Sequence, residues 1–423
     1  MVRTTGILAA LVAVSALLHA QEGEVIDSLV VEALRSNPIV LAEAQRVLAA
    51  SERQDQAGTL DPPLFIYKLM EFPGTEFSQA RFQNFGIMQN IRFPTKLARE
   101  SDIAQAERAR ASLQERANIL NVVSQVKSSA AMLRGTRTML EISRQNQRLL
   151  RQILSAAQTR YSVGRTSQQD VLKSDIELTR LESQEIDFEQ RVEASEAELR
   201  ALLNRPASHP IGPLEEVPAE PLAVSIVELL ELARIHSPAL AADSVRVTQA
   251  ISALSLRNHE YYPDVSLELE RVTMPVGGPS SWTVMATISL PFAPWTLGRL
   301  SSGVEEARAE KAESESRYVA SATSLEATVR KIYARARALS YQLEAYRDRI
   351  VPRTEQSVQS LLTAYQTGVT DFLMLMDGYR TFHDARMELT RIAAEYHQTL
   401  AELEREVGVT ALTRPLGSEE KRP

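Results

Sequence analysis

The chain has 423 residues, a formal net charge of −7, 44% hydrophobic and 5% aromatic residues, and no cysteine. The acidic balance excludes a protein whose task is to grip nucleic acid, which needs a basic face. The missing cysteines exclude disulfides and thiolate metal sites, so stability has to come from core burial or assembly.

In chain order, residues 1–20 read as a secretory signal. Arg3 supplies the positive start, Ile7 to Leu18 form an apolar run too short to anchor in a bilayer, and Ala20 ends the segment on a small residue. With no cysteine after that run, a lipid anchor at a processed N-terminal cysteine is excluded. No later stretch reaches about eighteen consecutive apolar residues, so no transmembrane helix is expected.

The remainder is one plan written twice, over residues 21–225 and 226–410, and a tail over 411–423 is expected to be disordered. Each half opens with a helical run carrying a proline: Glu24 to Gln56 with Ser36-Asn37-Pro38, and Ile226 to Asn258 with His236-Ser237-Pro238. A β-hairpin follows, over about 62–94 and about 262–292. The stretches Asp61 to Thr95 and Tyr261 to Trp295 together hold 12 of the 23 aromatic residues, far more than their share of the chain. In the second, Val265, Leu267 and Leu269 alternate with Ser266, Glu268 and Glu270, the period of a strand with one apolar and one polar face. In the first, strands are expected over Leu64 to Phe72 and Arg81 to Phe93, but Lys68 falls among Ile66 and Met70 and blurs the alternation.

A very long helix comes next in each half, Thr95 to Arg160 and Leu297 to Ala364, each on the order of 100 Å at the α-helical rise. Pro352 should bend the second. Both runs stop at Tyr-x-x-Gly, namely Tyr161 to Gly164 and Tyr365 to Gly368, and return as helices over Thr166 to Leu203 and Thr370 to Val407. The turns occupy 161–170 and 365–371, and a proline-rich linker over 204–224 joins the halves.

Strands that are apolar on one face and polar on the other suit a membrane barrel with a wet interior. Four strands cannot close one, because at least about eight are needed, and three protomers would supply twelve. A soluble β-cap on a helical body is the competing reading. The residues themselves therefore read as mainly α with a β-barrel part, a two-fold internal repeat whose four strands per protomer are pooled among several chains.

At this point the chain resembles the TolC-like outer membrane efflux protein family. The likeness rests on the duplicated plan and on Arg160-Tyr161-Ser162-Val163-Gly164-Arg165-Thr166-Ser167-Gln168-Gln169-Asp170, with its degenerate copy Ala364-Tyr365-Gln366-Thr367-Gly368-Val369-Thr370-Asp371. The heavy-metal branch (CzcC- and CusC-like) looks nearest, from Asp61-Pro62-Pro63, Gly86 to Ile91 before Pro94, and Leu290-Pro291-Phe292 with Trp295. The resemblance implies a homotrimeric exit duct in the outer membrane of a diderm bacterium, reaching into the periplasm: a trimeric twelve-stranded β-barrel with four strands per protomer, continued by a long α-helical coiled-coil barrel. It would contact outer-membrane lipid and work with a periplasmic adaptor and an inner-membrane pump of RND type.

The resemblance also puts the channel aperture and adaptor contact at the two turns: Tyr161, Gly164, Thr166, Asp170, Tyr365, Gly368, Thr370, Asp371 and Asp377. The two glycines allow the left-handed backbone of a tight reversal, and Thr166 and Thr370 are expected N-caps of the returning helices. Asp170, Asp371 and Asp377 lie early in those helices, where a carboxylate favours the helix dipole. Repeated by symmetry, they would form acidic rings. An arginine that the family's best-known member carries in the second turn is Thr370 here, so a gate built on it is not expected. Comparison of the two copies points to the second hairpin as the moving part.

No cofactor, catalytic group or resident metal is expected. The six His include no i, i+4 pair, and no Gly-x-Ser-x-Gly, P-loop or His-Glu-x-x-His occurs. A soluble periplasmic coiled-coil scaffold is the reading from another class. It would share the long helices but have no use for two amphipathic hairpins. The cargo stays open between heavy-metal cations, drugs and secreted polypeptides.

Overall fold

Proline punctuates the helical runs. It disfavours the helical conformation in the residue before it, and Asn37 and Ser237 accordingly sit at ψ 123° and 113°. Each opening run is therefore two helices rather than the single one expected. A computed structural model of the chain describes residues 24–409, apart from 72–73, 78–79, 81, 216–217, 219–221, 223 and 274–278. The expected signal segment, the tail over 411–423, most of the second hairpin's turn and part of the linker lie outside the described residues.

The first half runs α1 (Ile26–Ser36), α2 (Pro38–Ala57), β1 (Leu64–Met70), β2 (Phe82–Ile91), α3 (Pro94–Ser162) and α4 (Gln168–Leu202). The second repeats that order with α5 (Ile226–His236), α6 (Pro238–His259), β3 (Val265–Thr273), β4 (Ser281–Ile288), α7 (Pro294–Ala345), α8 (Val351–Thr367) and α9 (Phe372–Val407). A single π-helical turn, Tyr346–Ile350, separates α7 from α8. Pro352 lies at the start of α8 and cannot donate to the ladder, so the second long run is interrupted where the first is not.

The chain divides into two units. One takes residues up to 42, 117–237 and from 325 onward; the other takes 43–116 and 238–324. Within the second unit the strands form one antiparallel sheet in the order β1-β2-β3-β4, so β2 and β3 join the two hairpins. Register puts Phe65, Ile87, Leu269 and Val284 in one row across the sheet, and Ile66, Gly86, Glu270 and Thr283 in the adjacent row on the other face.

Exposure on this sheet is inverted relative to a water-soluble one. Phe65, Ile87, Leu269 and Val284 are 72%, 58%, 48% and 74% exposed, while Glu268 and Glu270 are 5% and 8% exposed. The buried carboxylates have a cation: the Lys68 ammonium donates to Glu268 at 2.7 Å and is ion-paired with Glu270. Lys68 reaches them from two strands away, across Gly86, where a Cβ would come within 2.7 Å of Glu270 Cγ. The lysine that blurred the alternation in β1 thus belongs to the polar face.

The first unit repeats its packing as well as its order. Leu29 and Ala33 of α1 meet Leu199 and Leu203 in one core cluster, with Val122, Val126 and Leu133 of α3. Leu229 and Ala233 of α5 meet Leu403 and Val407 in another, with Val329 and Ile332. Both return helices finish on a left-handed residue, Asn204 at φ 53° and Gly408 at φ 84°. The start of the linker is pinned to the body. Glu24 N–H donates to Pro213 O at 2.7 Å, and Arg137 donates to Ile211 O at 2.8 Å and to Gly212 O at 2.6 Å.

Candidate functional site: the two helix reversals

Both reversals lie in the first unit and share a hydrogen-bond pattern. Gly164 N–H donates to Tyr161 O at 2.9 Å and Arg165 N–H to Arg160 O at 2.8 Å. Gly368 N–H donates to Tyr365 O at 3.1 Å and Val369 N–H to Ala364 O at 2.9 Å. These are Schellman-type closures, which require a left-handed residue where each helix ends. Gly164 and Gly368 supply it at φ +71° and +86°.

The expected threonine caps are not the caps. The N-cap of α4 is Ser167, and the Thr166 hydroxyl instead donates to Asp170 Oδ2. Ser167 Oγ donates to the other oxygen of Asp170 at 3.1 Å. The N-cap of α9 is Asp371, whose Oδ1 accepts from Met374 N–H at 2.8 Å, while Thr370 precedes it. A cap residue needs extended backbone and a side chain that reaches the third amide inward. Asp371, at φ −89° and ψ 166°, meets both conditions. Asp377 is exposed in the second turn of α9 and forms no ion pair among the described residues.

The two tyrosines have opposite surroundings: Tyr161 is 47% exposed and Tyr365 is 1% exposed. Tyr365 is packed into a core cluster, edge-on to Phe372, and Arg160 of the first reversal lies over its ring. The Arg160 guanidinium lies 4.6 Å from the Tyr365 ring centroid, and its Nη1 donates to the Tyr365 carbonyl. Its Nη2 donates to Arg165 O at 3.4 Å. Sequence reasoning passed over Arg160 as a functional residue. The available signal was the asymmetry between the copies, Arg160-Tyr161 against Ala364-Tyr365.

Beneath this pair lies one core cluster drawn from both hairpins: Leu150 and Ile153 of α3, Leu181 of α4, Val358 and Tyr365 of α8, and Phe372, Leu375, Met376, Tyr379 and Phe382 of α9. Polar bonds continue the contact along α9. Arg380 pairs with Glu177 at 2.8 Å, Tyr379 Oη donates to Asn146 O at 3.4 Å, and Arg386 donates to Gln145 at 2.7 Å. The Asn146 amide meets His383 Nδ1, and burial depresses the His383 pKa below the usual imidazole value. A neutral ring nitrogen can accept that amide bond, whereas an imidazolium cannot. An open groove of about 550 Å³ is lined by Arg151, Gln152, Ser155, Thr159, Arg160 and Gln366.

The arrangement offers reversible polar bonds and a packed interface. Among the described residues, no three His, Asp or Glu side chains gather where they could hold a metal ion, and no helix is long and apolar enough to cross a membrane.

A profile described as outer membrane efflux protein matches residues 29–205 and again 229–409. The cobalt-zinc-cadmium resistance protein CzcC of Cupriavidus metallidurans is 22% identical over 259 residues, 60% of this chain and 59% of that protein. The match therefore spans less than two thirds of that relative. Among solved structures, the outer-membrane channel OprN superposes with a TM-score of 0.79 at 16% identity, covering 91% of this chain and 90% of that one. CusC superposes with a TM-score of 0.78 at 15% identity, over 91% and 92% of the two chains. VceC of Vibrio cholerae gives 0.74 at 16% identity, over 91% and 96%. These structural likenesses share the fold, and the profile covers each half of the repeat in turn. The chain belongs to the outer membrane efflux protein family.

Proposed function

We propose that this protein is the outer-membrane exit duct of a tripartite efflux system, a homotrimer that conducts cargo passively from a periplasmic adaptor and an inner-membrane RND-type pump to the outside. The observation that carries the reading is the inverted sheet. A soluble sheet presenting Phe65, Ile87, Leu269 and Val284 to water forfeits roughly 1.5–3 kcal/mol for each large apolar side chain left unburied. In a bilayer that face is solvated by lipid, and the Glu268, Glu270 and Lys68 face lines water.

Among the described residues both edges of the sheet, β1 and β4, are unpaired within the chain, and a membrane tolerates no open edge. Three chains joined edge to edge give twelve strands, enough to close a barrel. The helical repeats extend the duct into the periplasm, and the reversals form its aperture and meet the adaptor. Tyr161, Gly164, Thr166 and Asp170 line it from the first turn, and Tyr365, Gly368, Thr370, Asp371 and Asp377 from the second. Transport energy comes from the pump.

The relative named for cobalt, zinc and cadmium resistance supports divalent heavy-metal cations as cargo. Rings of carboxylates at the aperture suit such a cargo without binding it tightly. The test has two parts. The purified protein is expected to be a trimer from the outer-membrane fraction that conducts in planar bilayers; a monomer confined to the periplasmic soluble fraction would sink the duct reading. A deletion strain is expected to become sensitive to cobalt, zinc or cadmium. Sensitivity only to organic compounds would remove the metal assignment and leave the duct.

A further inference from the structure

Among the described residues, Lys68, Glu268 and Glu270 are the only charged side chains that the strand register puts on the polar face of the sheet. From the way they meet, we infer that the Lys68 ammonium is a resident cation. It fills a site that would otherwise take a divalent cation, and so keeps the duct from retaining the ions it passes. This rests on the exit-duct reading above and adds a specificity-determining residue to it.

Three observations converge. First, one nitrogen serves both carboxylates: Lys68 Nζ donates to Glu268 at 2.7 Å and is ion-paired with Glu270. Both glutamates are buried while the lysine side chain stays 41% exposed, so the lysine and not water compensates their charge. Second, the donor set is larger than the ammonium needs. Asn84, 6% exposed, donates from Nδ2 to Glu270 Oε2 at 3.2 Å, and its Oδ1 is buried without a hydrogen-bond partner. Two carboxylates beside a spare amide oxygen are the donors that a hard divalent cation takes. Third, the place is kept open by a missing side chain. A Cβ on Gly86 would come within 2.7 Å of Glu270 Cγ and 3.0 Å of Leu269 O, so Glu270 reaches toward β1 only because residue 86 is glycine.

The internal repeat supplies the contrast. Pro38, Pro63 and Pro94 have counterparts 200 positions later at Pro238, Pro263 and Pro294, and in that step Lys68 matches Glu268 and Met70 matches Glu270. One copy therefore supplies the two carboxylates and the other a tethered cation at the matching place. A tethered group competes at a high effective concentration, which a dilute free ion has to overcome. Without Lys68 the two buried carboxylates would be uncompensated, and a divalent cation is the ligand that would repay their burial.

The test uses the purified intact protein in detergent and divalent manganese alone as the probe, with the free ion read by electron paramagnetic resonance. Lys68→Met is expected to gain one manganese site per chain, at least about tenfold tighter than any binding by wild type. Lys68→Arg, which keeps a tethered cation, is expected to gain none. Equal binding by wild type and Lys68→Met would overturn the inference. So would a gained site that persists when Glu268→Gln and Glu270→Gln are added to Lys68→Met. If Lys68→Met does not fold by itself, refolding it with manganese is expected to recover it, and failure to recover counts against the site. In planar bilayers, manganese is expected to block the Lys68→Met channel at concentrations that leave wild type conducting. A variant that binds manganese yet conducts as wild type does would overturn the role in the duct. If wild type does not conduct at all, the duct reading fails, while the binding result still decides whether Lys68 fills a cation site.

Discussion

Gly164 and Gly368 hold left-handed backbone where each long helical run ends, and this much is legible from Tyr-x-x-Gly. A Cβ at Gly164 would meet nothing within 4 Å, so substitution there is penalised by the backbone and not by crowding. Gly164→Val is expected to cost about 1–2 kcal/mol locally and more in the reversal's geometry. Efflux should be abolished while barrel insertion and trimerisation persist, read by resistance assays beside trimer yield. The caps were less legible, because Thr166 and Ser167 at one turn, and Thr370 and Asp371 at the other, are all good capping types and only the backbone at each position selects one.

His383 gives a pH dependence at the same scale. Burial, the largest influence, depresses its pKa, and Arg180 and Arg386 add to this, while Asp384 and Glu177 act the other way. The unfolded chain then binds a proton near pH 6.5 that the folded chain refuses, so stability falls as pH drops through that value. Glu185, held below the usual carboxylate range by Arg144 and then Gln147, loses its contribution only in more acid solution. A decline in thermal midpoint between pH 7 and 5 is expected, and His383→Gln should flatten it.

At the scale of elements, the break between α1 and α2 is a built joint and not a flaw in a helix. Asn37, only 3% exposed, donates from Nδ2 to Leu202 O at 2.8 Å and accepts from Ile39 N–H at 2.9 Å. Ser36 Oγ donates to Leu203 O at 2.7 Å, so the end of α4 is satisfied by the start of the chain. Asn37→Ala removes the two Asn37 bonds, to Leu202 O and from Ile39 N–H, and leaves buried polar backbone unpaired, at about 1–3 kcal/mol. Denaturant titration of the wild type against this variant checks it; an unchanged midpoint would deny the joint any role. The proline was visible in the sequence, but the carbonyls it serves belong to residues some 165 positions away. The π-turn before Pro352 shows the same limit, since a bend was expected but not the widened turn that absorbs it.

For the whole molecule, the decisive feature is which face of the sheet meets which solvent. Val284→Lys, on the exposed apolar face, is expected to cost about 2–4 kcal/mol of insertion and to reduce protein in the outer-membrane fraction. Glu268→Gln, on the polar face, should leave insertion intact. Similar loss from both substitutions would argue for a soluble sheet instead. On the exit-duct proposal, assembly follows from the same feature, because a four-stranded sheet with lipid on one face would have no stable existence until its edges were paired.

The sequence by itself determined what repeats and what is periodic: two copies, helices by composition and length, strands by alternation, reversals by Tyr-x-x-Gly. These are local properties, set by backbone sterics and by the spacing of apolar residues, and a single chain segment contains all the information they need. Only the tertiary structure decided the pairings. Lys68 finds Glu268 across 200 residues and Arg160 finds Tyr365 across 205. Such partners are chosen by packing and by the cost of leaving a buried charge or carbonyl unmatched, and no local pattern records that choice.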